Sequence, residues 1–301
     1  MSFHYGGQAV MEGVMMRGQR HMAVAVRKPS GDIIVHSEPL NAAIYTHPFW
    51  KLPFARGLVL LWDTLILGIR TIMYSAAVAL EEEDVQLSGP MIWGTLFFAL
   101  ALAVGVFFVT PLLLTSFADR YIASSLVSNV VEGAVRIAFF VGYIALIGLL
   151  PDIRRVFAYH GAEHKAINAY EAGEPLEAQA VERYSTAHPR CGTSFLLVVL
   201  VACILVFALL GRPPMFWRVL SRIALVPVVA AISYEFIKLA ANNFRLWWVK
   251  AAMAPGLSLQ SLTTREPDRS QIEVAITALK KVLALDGVIS EEPQAEPSGN
   301  E

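Results

Sequence analysis

Charged side chains are scarce in this chain. They make up 16% of its 301 residues, against roughly 25% in soluble domains. A soluble protein of this size could be built with fewer apolar residues than the 55% present, so the excess points to a second solvent, the bilayer. Net charge is equally thin, at -1, and gives no support for a polyanionic partner such as nucleic acid. Cysteine occurs twice, as Cys191 and Cys203. Two thiols in so long a chain exclude a disulfide framework, and Cys203, inside an apolar run, reads as inert packing. The opening MSFHYGGQAVMEGVMMRG lacks the basic start and apolar core of a secretory signal peptide.

What the chain does have is long uncharged runs. Residues 91–117 and 193–211 carry no charge, and about 20 such residues cross a bilayer as a helix. Residues 134–150 are apolar except for Arg136, and residues 223–241 except for Glu235 and Lys238, which lie on neighbouring turns and can pair. The ionisable groups near the span ends are explained by snorkelling. A fifth stretch, 57–80, contains Asp63 and Arg70 seven residues apart on one helical face, which fits an amphipathic helix lying on the membrane better than a span. With four spans, residues 1–90, 151–192 and 242–301 share one side and carry 7, 5 and 6 Lys plus Arg; the other side has Arg120, Arg212, Arg218 and Arg222. The positive-inside rule places both termini and the middle loop in the cytoplasm, in a multi-pass protein of the cytoplasmic membrane, where Cys191 would stay reduced.

The fold class expected is mainly α: a polytopic membrane protein with about four transmembrane helices plus a small cytoplasmic α+β portion. Its segments are a Gly-rich stretch and β-hairpin in 1–56, the amphipathic helix in 57–90, two spans in 91–150, a loop in 151–192, two spans in 193–241, a C-terminal region in 242–289 and a disordered tail in 290–301. The hairpin is read from alternating, Val- and Ile-rich 22–28 and 32–38 around the turn Pro29-Ser30-Gly31. Gly6, Gly7, Gly13 and Gly18 lack the ending of a phosphate-binding loop and read as a tight turn or a close backbone approach. Ser270-Gln-Ile-Glu273 reads as a capping box. It opens a helix to about Leu285 whose apolar face is Ile272, Ala275, Ile276, Leu279 and Leu283. Trp247 and Trp248 beside Arg245 and Lys250 suit a headgroup anchor, and Glu81 to Asp84 reads as a solvated acidic face.

The chemistry concentrates in 151–192. Pro151 suits the first turn of a helix that runs to Gly173 and Pro175. Within it stands His160-Gly-Ala-Glu163-His164. Histidines four apart share a face about 6 Å apart along the axis, a spacing that can grip one zinc or other divalent transition metal. Glu163 beside the second histidine is placed as a general base, the inverted zincin order His-x-x-Glu-His. The alternative is a helix whose polar face simply holds two histidines, and Gly161 weakens that helix by roughly 1 kcal/mol. For a third ligand, Glu171 lies about 10 Å further along the axis, too far for the same ion. His188 or Cys191 in His-Pro-Arg-Cys are better candidates, although Pro189 and Gly192 could merely turn the chain. Glu235 is a more distant choice, and Glu12 with Arg17 form a possible charged pair reaching the site. An upright helix would carry His164 about 20 Å from the membrane, so the ligands meet only if that helix lies flat or folds back.

Three segments in order, GGQAVMEGVMMRG (6–18), HGAEHK (160–165) and HPRCGTSFL (188–196), resemble the YqhQ-like family of bacterial membrane proteins, over nearly the whole chain. The family is described as uncharacterised or as predicted metal-dependent enzymes, so the resemblance implies that HGAEH and HPRC are the segments that matter. The leading expectation is a metal-dependent hydrolase at the cytoplasmic membrane face, acting on a peptide bond or a lipid-linked group. Its rivals are a membrane scaffold with a structural metal site and, last, a transporter. Partners expected are membrane lipids and a protein or lipid-linked substrate.

Overall fold

The computed structural model describes residues 4–40, 47–79 and 89–290. The acidic run at 81–84 and the tail beyond Ser290 lie outside the described residues. Near the N-terminus, strands β1 (Gly6–Val10), β2 (Gly13–Arg17), β3 (His21–Arg27) and β4 (Ile33–Pro39) form an antiparallel meander in chain order. The β3–β4 hairpin is the one expected, and Gly31 turns it at φ +98°. The Gly-rich segment is more than a turn: it is the β1–β2 hairpin. The close approach inferred for its glycines is nonetheless present. A Cβ on Gly13 would stand 2.3 Å from the Ala25 carbonyl of β3.

Both faces of the sheet are covered, so β3 is buried along Met22–Val26 rather than alternating with solvent. Val14, Met16, Ala23 and Ala25 pack on helices α4 (Pro151–Glu171) and α10 (Arg269–Leu285). Met15, Met22, Val24 and Val26 face Leu67 of helix α1 (Ala55–Ala79). Helix α1 turns its charged stripe to the sheet: Asp63 meets Arg17 at 2.7 Å and Arg70 meets Glu38 at 3.6 Å. Arg17 is therefore not the partner of Glu12. The N-cap of α10 is Asp268, two residues before the expected Ser270. Its carboxylate accepts from Gln271 N at 2.9 Å, and Gln271 Oε1 accepts from Asp268 N at 3.0 Å. An ionised carboxylate is the stronger acceptor for those unpaired backbone donors, and Ser270 instead donates to it at 2.6 Å.

Helix α2 runs Gly89–Val104, passes through a π turn at Gly105–Val109 and continues over Thr110–Ala118. Helix α3 (Ser125–Ile147) leads to α4, a short turn α5 (Ala178–Val181) follows, and α6 (Gly192–Leu209) is the second uncharged run. Then come α7 (Met215–Ala224), α8 (Val226–Asn242) and α9 (Trp247–Thr263). Helices α1, α2, α3 and α6 are long and apolar enough to cross a membrane, while α7 and α8 pass the same test as one pair bent by 43°. The expected span at 223–241 is thus one arm of a broken element. Phe97, Phe117 and Leu205 are 76%, 73% and 65% exposed, surfaces that a bilayer solvates and water does not. The fold is a mainly α polytopic membrane architecture with a small sheet.

Arg136 does not snorkel. It is 1% exposed and binds Glu132 at 2.8 Å. Glu132 also takes Arg218 at 3.0 Å and Arg222 at 3.1 Å, the two arginines that α7 carries inward. Pro111 has no N–H to offer the carbonyl four residues before it, and that carbonyl, Phe107 O, accepts Arg136 Nε at 2.9 Å. The proline and the π turn thus supply an acceptor for a buried guanidinium. Removing one member of such a group leaves uncompensated buried charge, at a cost of about 3–5 kcal/mol. Glu132→Ala should therefore lower the unfolding temperature in detergent sharply; an unchanged midpoint would mean that the cluster is solvated.

Candidate metal centre

Helix α4 begins at Pro151, ends before Gly173 at φ +79°, and folds back against the sheet and α10. The expected geometric conflict disappears because the following chain returns along the same helix. Lys165 Nζ donates to Glu182 O at 2.7 Å, and Asn168 Nδ2 to Ser185 O at 2.8 Å and Ala187 O at 3.1 Å. These bonds carry residues 188–191 up to the histidines. Gln260 of α9, 1% exposed, fixes them in place: it accepts from His188 N at 2.9 Å and donates to His188 O and Ser194 Oγ, each at 2.8 Å.

The result is a group of three ligand-bearing side chains. The donor atoms of His160, His164 and Cys191 lie within 4.8 Å of one another, and the two imidazole centroids are 4.4 Å apart. Both histidines engage backbone carbonyls through Nδ1: His160 with Thr263 O at 2.8 Å, His164 with Thr186 O at 2.5 Å. A carbonyl only accepts, so each Nδ1 is a protonated nitrogen, and in the neutral ring the lone pair then sits on Nε2. This is the outer-shell arrangement that orients metal-binding imidazoles. Cys191 Sγ stands 3.3 Å from His160 Nε2, caps α6 and accepts Thr193 N–H at 3.4 Å, at a helix end whose partial positive charge suits an anionic ligand. The donor set fits a soft divalent transition metal such as zinc.

Glu163 is 5% exposed, and its Oε2 lies 3.9 Å from His160 Nε2. The strand β1 passes directly over it: a Cβ on Gly7 would stand 2.9 Å from Glu163 Cγ. Gly161 has an equally local reason. A Cβ there would stand 2.1 Å from the Arg265 carbonyl, so glycine lets the end of α9 cross the helix and deliver Thr263 O to His160. Arg265 N completes that crossing by donating to Phe157 O at 2.9 Å.

His188 stands beside the group and outside it. Its ring centroid is 5.6 Å from that of His164. Its Nε2 is buried without a hydrogen-bond partner among the described residues and lies 3.6 Å from Glu171 Oε2. Burial alone would push Glu171 up; His188 and the Arg190 guanidinium outweigh it and hold the carboxyl at about 2. A carboxyl depressed in this way stabilises the fold above its unfolded value near 4.5, and that contribution is lost as pH falls toward 2. Glu235 is not at the site: its carboxylate accepts Arg56 Nε at 2.8 Å and Phe54 N at 3.1 Å. Glu12 takes Arg155 Nη2 at 2.6 Å and Tyr159 Oη at 3.2 Å, which ties the β1–β2 turn to the start of α4. Sequence reasoning missed Thr186, Gln260 and Thr263. Two of these act through backbone carbonyls, which leave no side-chain signal, and only the buried amide of Gln260 on an apolar helix could have been noticed.

Comparison with known proteins places these features in a wider group. A family model described as "Protein of unknown function (DUF1385)" matches residues 52–285. The chain is 33% identical to "Uncharacterized protein YqhQ" of Bacillus subtilis (strain 168), over 98% of this chain and 96% of the relative. No solved structure matches.

Proposed function

The chain belongs to this family of unknown function (DUF1385), and from that premise we propose that His160, His164 and Cys191 hold a transition metal, with zinc the best match, in a hydrolase working at the cytoplasmic face of the membrane. The observation that carries the reading is the pair of Nδ1 contacts to Thr263 O and Thr186 O, which leave the Nε2 atoms as the ring nitrogens available to a metal beside Cys191. When bound, the ion supplies Lewis acidity. Three protein ligands would leave a four-coordinate ion room for water or substrate. Glu163, packed under Gly7 at the rim of the group, takes the proton of the attacking water at its carboxylate and returns it to the leaving group. The motif order favours a peptide bond as substrate, with a lipid-linked group at the membrane surface as the other possibility. The Lys and Arg distribution supports both termini on the cytoplasmic side.

One observation favours a second reading. The buried Nε2 of His188, 3.6 Å from Glu171 Oε2 and without a hydrogen bond among the described residues, would supply a fourth donor if its ring turned inward, and a closed four-ligand site is structural, as in a membrane scaffold. Metal per chain, measured by mass spectrometry on protein purified without a histidine tag, tests the common premise. The wild type should hold close to one transition-metal ion, and His160→Ala/His164→Ala none. Absence of metal from both, even after zinc is offered, would remove both readings.

A further inference from the structure

A second site lies across strand β1 from Glu163. A cavity of about 670 Å³ opens between the sheet, α1 and α8. Cationic side chains surround it: Arg17, Arg56, Arg190 and Lys238. Among the described residues, no carboxylate lines it. Each of the three arginines is paired at the cavity's edge, Arg17 with Asp63, Arg56 with Glu235 and Arg190 with Glu171. Lys238 acts electrostatically on Glu235, three residues before it.

The opposite character runs along α1. Val59, Leu60 and Leu67 follow Arg56 along the cavity wall, a stripe that extends about 16 Å from Arg56 to Leu67 at 1.5 Å per residue. Both helical walls have the composition to meet a bilayer: α1 is long and apolar enough to cross one, and α8 is an arm of the bent pair. At the start of α1, Phe49, Trp50 and Phe54 are 53%, 40% and 52% exposed, and Trp50 also lines the cavity. Aromatic side chains beside cations mark headgroup depth.

We propose that this cavity binds an anionic lipid, with its phosphate among Arg17, Arg56, Arg190 and Lys238 and its hydrocarbon along Val59, Leu60 and Leu67. Four cations against three paired carboxylates leave the site net positive, which favours an anionic headgroup over a zwitterionic one. The apolar stripe selects against free phosphate. Because β1 separates the cavity from Glu163, this lipid is a bound partner and not the molecule whose bond is broken.

The test is native mass spectrometry of the full chain in neutral detergent, titrated with phosphatidic acid, with phosphatidylcholine of the same chains, and with inorganic phosphate. Phosphatidic acid should bind about ten-fold or more tighter than phosphatidylcholine, and excess inorganic phosphate should not displace it. Lys238→Glu should weaken phosphatidic acid by about ten-fold or more with metal content unchanged. If that variant does not fold, Gly6→Trp serves. Gly6 lines the cavity, a Cβ there meets nothing within 4 Å, and strand alternation points it away from Glu163. It should exclude the lipid sterically. Equal affinity for the two lipids, or unimpaired binding in the folded variant, would overturn the proposal. Displacement by inorganic phosphate would overturn it in favour of a free-phosphate site.

Discussion

Glu163→Gln should leave one metal ion per chain in place and lower hydrolytic turnover by about 10²–10⁴-fold, the usual contribution of a general base. The amide keeps the size of the carboxylate, so its packing under Gly7 survives and the three ligands stay where they are. What disappears is the proton acceptor 3.9 Å from His160 Nε2. Turnover is read as new termini appearing in a peptide library incubated with the purified protein. A variant that loses its metal would make Glu163 a structural group. A variant that binds metal and retains full function in cells, while His164→Ala does not, would favour the scaffold.

Gly161→Ala reverses the effect that helix propensity predicts. In an exposed helix interior this change stabilises by roughly 1 kcal/mol. Here the new methyl would stand 2.1 Å from the Arg265 carbonyl oxygen, which is backbone and has no rotamer to yield. The end of α9 must move away, and with it Thr263 O, the acceptor that orients His160. Loss of such an outer-shell partner costs about 10–100-fold in metal affinity. Competition with a zinc-binding dye would measure the loss. Equal affinity in wild type and variant would show that α9 can shift without disturbing the histidine.

Local signals carried much of this structure. Pro151 and Gly173 bracket α4 at the ends read from the sequence, and the His-x-x-Glu-His spacing placed two rings on one face because helical periodicity is local. Three kinds of feature escaped. Gly6, Gly7 and Gly13 depress strand propensity, so the β1–β2 hairpin was hidden until its tertiary partners, β3 and Glu163, explained the missing side chains. Glu132 fell outside a span judged to start at Ala134, and its three arginines come from another helix and from deeper in its own, so the cluster is a product of packing. The choice of Cys191 as the group's third member, with His188 beside it, depends on a return loop pinned by Lys165, Asn168 and Gln260, contacts between residues far apart in the chain.

X-ray absorption at the zinc edge tests the central claim most directly. On the purified protein it should show two nitrogen ligands at about 2.0–2.1 Å and one sulfur at about 2.3 Å, with the sulfur shell lost in Cys191→Ala and the zinc signal itself lost in His160→Ala/His164→Ala. A first shell without sulfur in the wild type, or one unchanged by these substitutions, would contradict the assignment of His160, His164 and Cys191 as the metal centre.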